Sequence, residues 1–65
     1  MSEVQKRAMR VAMQVCLRDG APITTRDVRA SMIWHKMPPG QATTEAAELV
    51  EEARRIVNQE QEVFP

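Results

Sequence analysis

A single thiol and a single imidazole are the side chains in this sequence that could serve as nucleophile and base. Cys16 is the only cysteine and His35 the only histidine among the 65 residues. A cysteine nucleophile needs a base within hydrogen-bonding distance and usually a third group that orients the base. Cys16 follows Met13 and Val15 along the chain, and a thiol in apolar surroundings stays protonated and inert. We therefore expect a buried, unreactive Cys16, an exposed His35 and no catalytic residue.

Other site chemistry is equally sparse. One cysteine and one histidine are too few for a four-ligand zinc site. Gly20 and Gly40 stand alone rather than in a phosphate-binding loop. The glutamates of the C-terminal half have no pocket around them in so short a chain, so we expect a solvated surface and not an acid–base pair. The sequence therefore predicts no enzyme, no cofactor, no metal site and no small-molecule substrate.

Length and composition limit the class of protein further. Sixty-five residues form one domain with a thin core, and a hydrophobic fraction of 43% is enough for a folded chain. A lone cysteine excludes an internal disulfide, which fits a reducing compartment. The sequence contains neither an apolar stretch of membrane-spanning length nor a secretory signal. We expect a cytoplasmic protein with no membrane association.

The first of three predicted helices runs from about Ser2, as N-cap, to Arg18. Apolar residues recur in it at helical spacing, and we expect them to face the core: Val4, Ala8, Val11, Ala12 and Val15, widened by Met9, Met13 and Cys16. Basic residues occupy the remaining arc. Gly20 suits the left-handed position that follows a helix, so we expect the helix to stop there.

The second helix is predicted over residues 25–33. Thr24 with Asp27 three residues later is typical of a helix start. Pro38 and Pro39 are expected to end any helix, because proline lacks an N–H donor and pushes the preceding residue to extended geometry.

The third helix is predicted over residues 44–59, capped by Thr43 or Thr44, because its apolar residues follow helical spacing. The fold class is therefore all-α: a compact three-helix domain over residues 1–59, as a simple bundle or helix-turn-helix-like, with a frayed tail over residues 60–65. The expected core consists of Val11, Val15, Ile23, Val28, Leu49, Val50, Ile56 and Val57.

The net charge of zero conceals an asymmetry between the two halves of the chain. Residues 1–36 hold seven basic and three acidic side chains, a net charge of +4, whereas residues 37–65 hold two basic and six acidic ones, a net charge of −4. This asymmetry favours a nucleic acid, an acidic partner or self-association. The alternative is that two helix faces of opposite charge attract each other within one domain, and charge patterning alone does not decide between these interpretations.

The segment from Ile23 to Ala30 resembles the entry to the second helix of helix-turn-helix and winged-helix regulators. There an apolar residue precedes a Thr or Ser cap, and a short charged helix follows. The resemblance implies a DNA-binding regulator. The segment departs from the family in its long turn with two prolines, and the third helix offers glutamates, which phosphates repel. DNA would then be held by the basic side chains of the N-terminal half: Lys6, Arg7, Arg10, Arg18, Arg26, Arg29 and Lys36.

Soft and aromatic side chains favour a protein partner instead. The chain has five methionines and one tryptophan. Methionine adapts to varied partners, and tryptophan is a common interface anchor. The candidates for protein contact lie where the second helix ends: Met32, Ile33, Trp34 and Met37. For Trp34, a position in the core and a position in an interface both remain open.

We interpret the chain as a small non-enzymatic regulatory protein that acts by contact with a larger factor, for example a transcription regulator or an accessory protein of a phage or mobile element. The alternative is a helix-turn-helix-like DNA-binding regulator that uses the basic N-terminal half. A homodimer is also compatible with the sequence, because some domains of this size complete their core by self-association.

Overall fold

The structure is a computed structural model and describes residues 1–63. Three helices account for most of these residues. They are α1 (Glu3–Arg18), α2 (Thr25–Trp34) and α3 (Pro39–Val63). The described residues contain no strand. The predicted all-α, three-helix domain is confirmed, and it is elongated, with principal extents of 42 × 21 × 16 Å.

The start and the end of α1 follow from local hydrogen bonds. The Ser2 hydroxyl accepts a hydrogen bond from the Gln5 N–H at 3.2 Å, and the Ser2 N–H donates to the Gln5 side chain at 2.9 Å. At the other end Gly20 has a φ of +80°. Its N–H donates to Leu17 O, and the next N–H, of Ala21, donates to Cys16 O at 2.9 Å. The predicted cap and stop are therefore confirmed, because a left-handed residue allows two hydrogen bonds to the last free carbonyls of the helix.

The same motif ends α2 without a glycine. The Thr24 hydroxyl caps the start of the helix by accepting from Asp27 N–H at 3.2 Å, as predicted. After the helix, Lys36 has a φ of +70°. Its N–H donates to Ile33 O, and the Met37 N–H donates to Met32 O at 3.1 Å. This motif usually brings the residue after the left-handed position onto the last turn of the helix, so it places Met37 near Met32.

Replacing Lys36 with glycine is expected to raise the free energy of unfolding by about 1 kcal/mol, because a residue with a Cβ is disfavoured in the left-handed region. Urea denaturation measures the change. The matched control is Gly20→Ala, which has open space around the added Cβ but the same left-handed backbone. It should lower the stability by a similar amount, and equal stabilities for Lys36→Gly and wild type would contradict the backbone conformation described for Lys36.

The N-terminus of α3 lies five residues before the predicted start at residue 44. The helix begins at Pro39, and the first hydrogen bond joins Ala42 N–H to Pro38 O at 2.9 Å. Proline is well suited to the first position of a helix, since the N–H there has no partner within the helix. The two prolines therefore lie at the start of α3, whereas the sequence predicted that they would end the second helix. That helix already ends at Trp34, with Lys36 in the left-handed position.

The C-terminal end of α3 also differs from the prediction. The helix continues past residue 59 to Val63, where the sequence predicted a frayed tail from residue 60. Glu60 accepts hydrogen bonds from Arg18 at 2.8 and 2.6 Å, which ties this last part of α3 to the end of α1. Phe64 and Pro65, the last residues of that predicted tail, lie outside the described residues.

The long helix α3 is the centre of the domain, and both other helices pack against it. Contacts of α1 with α3 advance along both helices together, from Lys6 and Glu45 to Arg18 and Glu60, so the two run parallel. The α2 helix runs antiparallel to α3. Arg29, late in α2, donates a hydrogen bond to Thr43 near the start of α3, whereas Arg54, late in α3, donates to the Ile23 carbonyl just before α2. The buried apolar side chains are Met13, Val28, Met32, Met37, Ala42, Ala46, Leu49, Val50, Ala53 and Val57. Four predicted core residues are thus confirmed, and Ile23 and Ile56 are partly buried.

The predicted core face of α1 was wrong for its valines and alanines and confirmed for Met13, which is buried. Val11 and Val15 are 47% and 49% exposed, and Val4 is 75% exposed. The side of α1 that packs against α3 carries the buried Met13 and the partly buried Met9 and Leu17, together with the buried Gln14. These longer side chains reach the core, and the basic residues Lys6 and Arg10 beside them pair with glutamates of α3. Cys16, predicted to be buried, is partly buried.

Candidate functional site

The indole of Trp34 is the most exposed large apolar side chain among the described residues. It is 83% exposed and is the last residue of α2. Tryptophan is highly buried on average in folded proteins. Of the two positions that the sequence left open for Trp34, the core is therefore excluded, because the indole lies on the surface.

The other three candidates for protein contact lie at different depths. Met32 and Met37 are 0% and 4% exposed and form part of the core, so a partner cannot touch them on this surface. Ile33 is partly buried and packs against the core. Met32 shares the buried face of α2 with Val28, and the hydrogen-bonding motif that ends the helix brings Met37 back to it. Trp34, two residues after Met32, lies on the opposite side of the helix. Of the four candidates, Trp34 and part of Ile33 are accessible.

Three of the seven candidate basic side chains form ion pairs with glutamates of α3. They join Lys6 to Glu45, Arg10 to Glu52 at 3.3 Å, and Arg18 to Glu60 at 2.6 Å. Arg18 uses two nitrogens on the two oxygens of Glu60, a bidentate geometry. The basic and acidic halves of the chain thus pair within one molecule. This is the alternative interpretation of the charge asymmetry, in which two oppositely charged helix faces attract each other within one domain.

Hydrogen bonds in these pairs shift the titration of the acidic partners. The hydrogen bond from Lys6 lowers the pKa of Glu45 below its ordinary value of 4.5, and one from Gln41 acts in the same direction. The hydrogen bonds from Arg18 likewise lower the pKa of Glu60. A lowered carboxyl pKa stabilises the fold above the unfolded pKa, and this contribution is lost as the pH falls through the folded pKa. Because these pairs are open to solvent, each contributes little to stability.

The remaining basic candidates are spread over three elements. Arg29 is partly buried and donates a hydrogen bond to Thr43 Oγ1 at 2.8 Å. Arg7 on α1, Arg26 in the first turn of α2 and Lys36 after α2 are exposed. Only these three of the seven predicted DNA-binding side chains are exposed and without an ion pair among the described residues.

A cleft of about 310 Å³ lies between α1 and α3, with Met32 and Leu49 among its lining residues. Its acidic and basic residues include the pairs Lys6–Glu45 and Arg10–Glu52. Because these carboxylates are each engaged by a cation, they do not form two free carboxyl groups facing each other. The cleft is therefore a seam between two helices held by ion pairs.

The two groups that could act as nucleophile and base lie at opposite ends of the domain. Cys16 is in the last turn of α1, near the level of Glu60 on α3. His35 follows α2 and is exposed, at the end where α3 begins. The helix length between these ends is far greater than a hydrogen bond, so the thiol and the imidazole do not form a catalytic pair.

An exposed apolar row on α1 has the helical spacing that is typical of a core face, so the sequence predicts it as core and not as surface. We call Val4, Ala8, Val11 and Val15 the α1 stripe; all four are exposed. They lie on the side of α1 opposite to Met9, Met13 and Leu17. The signal that could have separated the two sides is residue size, since the stripe holds only alanine and valine.

Within residues 1–63 no three potential metal ligands converge on one point. None of the helices described is long and apolar enough to cross a lipid bilayer. Comparison with protein-family models, with curated proteins and with solved structures finds no match to this chain.

Proposed function

We propose that this protein is a small non-enzymatic regulator that acts by binding a larger protein, and that Trp34 anchors the contact. The observation that carries the proposal is the 83% exposure of the indole in a chain with a single tryptophan. An exposed indole leaves a large apolar surface in water, and its burial by a partner is among the most favourable single contacts at protein interfaces.

The packing of the last turn of α2 against the core favours binding through Trp34 at low entropic cost. The two residues that precede it in the last turn, Met32 and Ile33, are buried and partly buried. The turn is closed by the two hydrogen bonds from Lys36 and Met37. A side chain on a rigid turn loses little backbone freedom when it is bound. Exposed His35 and Lys36 beside the indole supply the polar rim that such interfaces have.

Charge supports a protein partner over DNA. A protein that binds duplex DNA places several Lys and Arg side chains on phosphates. Here Lys6, Arg10 and Arg18 already have carboxylate partners, which a phosphate would have to displace. The alternative, a helix-turn-helix-like DNA-binding regulator, would rely on Arg7, Arg26 and Lys36.

The experiment compares wild type with Trp34→Ala and with a control, Asn58→Ala, at an exposed position of α3. Because Trp34 is exposed, both variants should keep the stability of wild type to within about 0.5 kcal/mol. A partner identified by affinity capture is then purified, and its dissociation constant is measured by calorimetry. We expect Trp34→Ala to weaken binding by about 30-fold or more, as for an interface anchor, and Asn58→Ala to leave it unchanged.

The same three proteins are titrated into labelled duplex DNA at low and at physiological salt. Tight binding that falls steeply with salt and is unaffected by Trp34→Ala would contradict the proposal and support the DNA-binding alternative. Equal affinity of wild type and Trp34→Ala for the purified partner would show that the indole is not the anchor.

A further inference from the structure

The α1 stripe is an apolar surface that the fold leaves without a partner among the described residues. Val4 is 75% exposed, and Val11 and Val15 about half exposed. The buried and partly buried side chains of α1 all lie on the other side of the helix. We propose that a second copy of this chain covers the α1 stripe, with the two α1 helices packed antiparallel in a homodimer.

The spacing of the stripe is that of a helix–helix seam. Its positions are 4, 8, 11 and 15, which are separated by four, three and four residues. This alternation of three and four is the heptad pattern that keeps one row of a helix facing another helix. A helix that only had to be solvated would carry polar residues here, as other surface helices do.

The same spacing is self-complementary. The intervals four, three and four read alike in both directions, so a two-fold axis can pass between Ala8 and Val11. It sets Val4 opposite Val15 of the second copy and Ala8 opposite Val11 of the second copy. Each small alanine then meets a valine, which allows close approach without a gap. Two-fold dimers require one surface patch that complements itself in this way.

Charge complementarity selects the antiparallel orientation. The side chain of Glu3 at the start of α1 is 88% exposed, and Arg18 stands at the other end of the helix. Antiparallel packing brings Glu3 of one copy towards Arg18 of the other. Arg18 uses Nε and Nη2 on Glu60, so its other guanidinium nitrogen remains available. Parallel packing would align the two helix dipoles side by side, which is unfavourable.

The contact area between the two α1 helices determines the expected affinity of the homodimer. A helix of 16 residues is about 24 Å long and about 10 Å wide. Its footprint is well below the ~800 Å² that each partner contributes to a standard stable interface. We therefore expect a reversible monomer–dimer equilibrium that depends on concentration.

The first test is sedimentation equilibrium of the full chain from about 1 μM to about 1 mM, the range where such weak pairs populate both states. Wild type should pass from monomer to dimer. Val11→Glu, in the middle of the stripe, should weaken dimerisation at least 30-fold, because it places two buried carboxylates in the seam. Ala47→Glu, the same kind of change at an exposed alanine of α3, should dimerise as wild type does, and circular dichroism should show equal helicity for both variants.

Trp34→Ala is included so that this proposal and the proposed function are tested separately. It should dimerise normally, since Trp34 is not in the stripe. Wild type that stays monomeric throughout the range, or Val11→Glu that dimerises like wild type, would overturn the proposal. Dimerisation lost with Trp34→Ala and kept with Val11→Glu would assign self-association to the end of α2 instead.

A disulfide experiment tests the orientation. Two chains are made on a Cys16→Ser background, one with Val4→Cys and one with Val15→Cys, and they are mixed and oxidised. Antiparallel packing predicts a mixed disulfide between the two different chains, because position 4 faces position 15. In this arrangement two copies of position 4 are about 16 Å apart along the helix axis, beyond the reach of a disulfide. A preference for disulfides between identical chains would overturn the antiparallel assignment.

Discussion

Replacing Met32 with alanine should lower the free energy of unfolding by about 3 kcal/mol. The Met32 side chain is completely buried in the core cluster and is the largest of the fully buried side chains. It also supports Met37, which follows it in the hydrogen-bonding motif that ends α2. A domain of this size has a total stability on the order of 5 kcal/mol. Loss of this side chain therefore removes most of the free energy of unfolding, and we expect a fall in melting temperature of about 15 °C.

Thermal and urea denaturation, followed by circular dichroism at a concentration where the chain is monomeric, measure this change. Val4→Ala is the control, because it removes apolar atoms from a side chain that is largely exposed in the monomer. It should change the stability by no more than about 0.5 kcal/mol. If Met32→Ala unfolds at the wild-type midpoint, Met32 is not at the centre of the core.

Ala46→Leu is expected to destabilise the domain by about 2 kcal/mol or more. Ala46 is 0% exposed on the face of α3 that packs against the other helices, and a leucine there must push helices apart or take an unfavourable rotamer. The next residue, Ala47, is exposed, so Ala47→Leu is a matched control with the same change in the same helix. It should stay within about 0.5 kcal/mol of wild type. Equal effects of the two substitutions in urea denaturation would contradict the orientation of α3 described above.

The candidate site was partly predictable. The sequence directs attention to the end of α2, because soft and aromatic residues cluster there before two prolines. It does not separate Trp34, which lies on the surface, from Met32 and Met37, which are buried. That separation depends on the left-handed Lys36, since the motif around this residue turns the chain and carries Met37 back to Met32. A lysine in that conformation has no sequence signal of the kind that a glycine provides.

The sequence by itself determined the helices whose ends are capped by neighbouring residues. Ser2, Thr24 and Gly20 act on backbone groups within four residues of themselves, so their effect does not depend on the rest of the fold. The start of α3 was predicted too late, because proline is compatible both with the end of one helix and with the first position of the next. Local chemistry allows both outcomes there, and the earlier start is the one that places Ala42 in the core, where it is 0% exposed.

Only the tertiary structure decided which side of α1 faces the core. The helix has apolar residues on two opposite sides, one with Val11 and Val15 and one with Met13 and Leu17, and helical periodicity alone counts both as core candidates. The choice depends on packing against the core, because Met9, Met13 and Leu17 bury more apolar surface there than valine or alanine would. The same orientation lets Lys6, Arg10 and Arg18 pair with glutamates of α3 about 40 positions further along the chain, although each pair adds little to stability. No local pattern contains contacts at such separations, and this is the physical reason why the valine side is left as a surface.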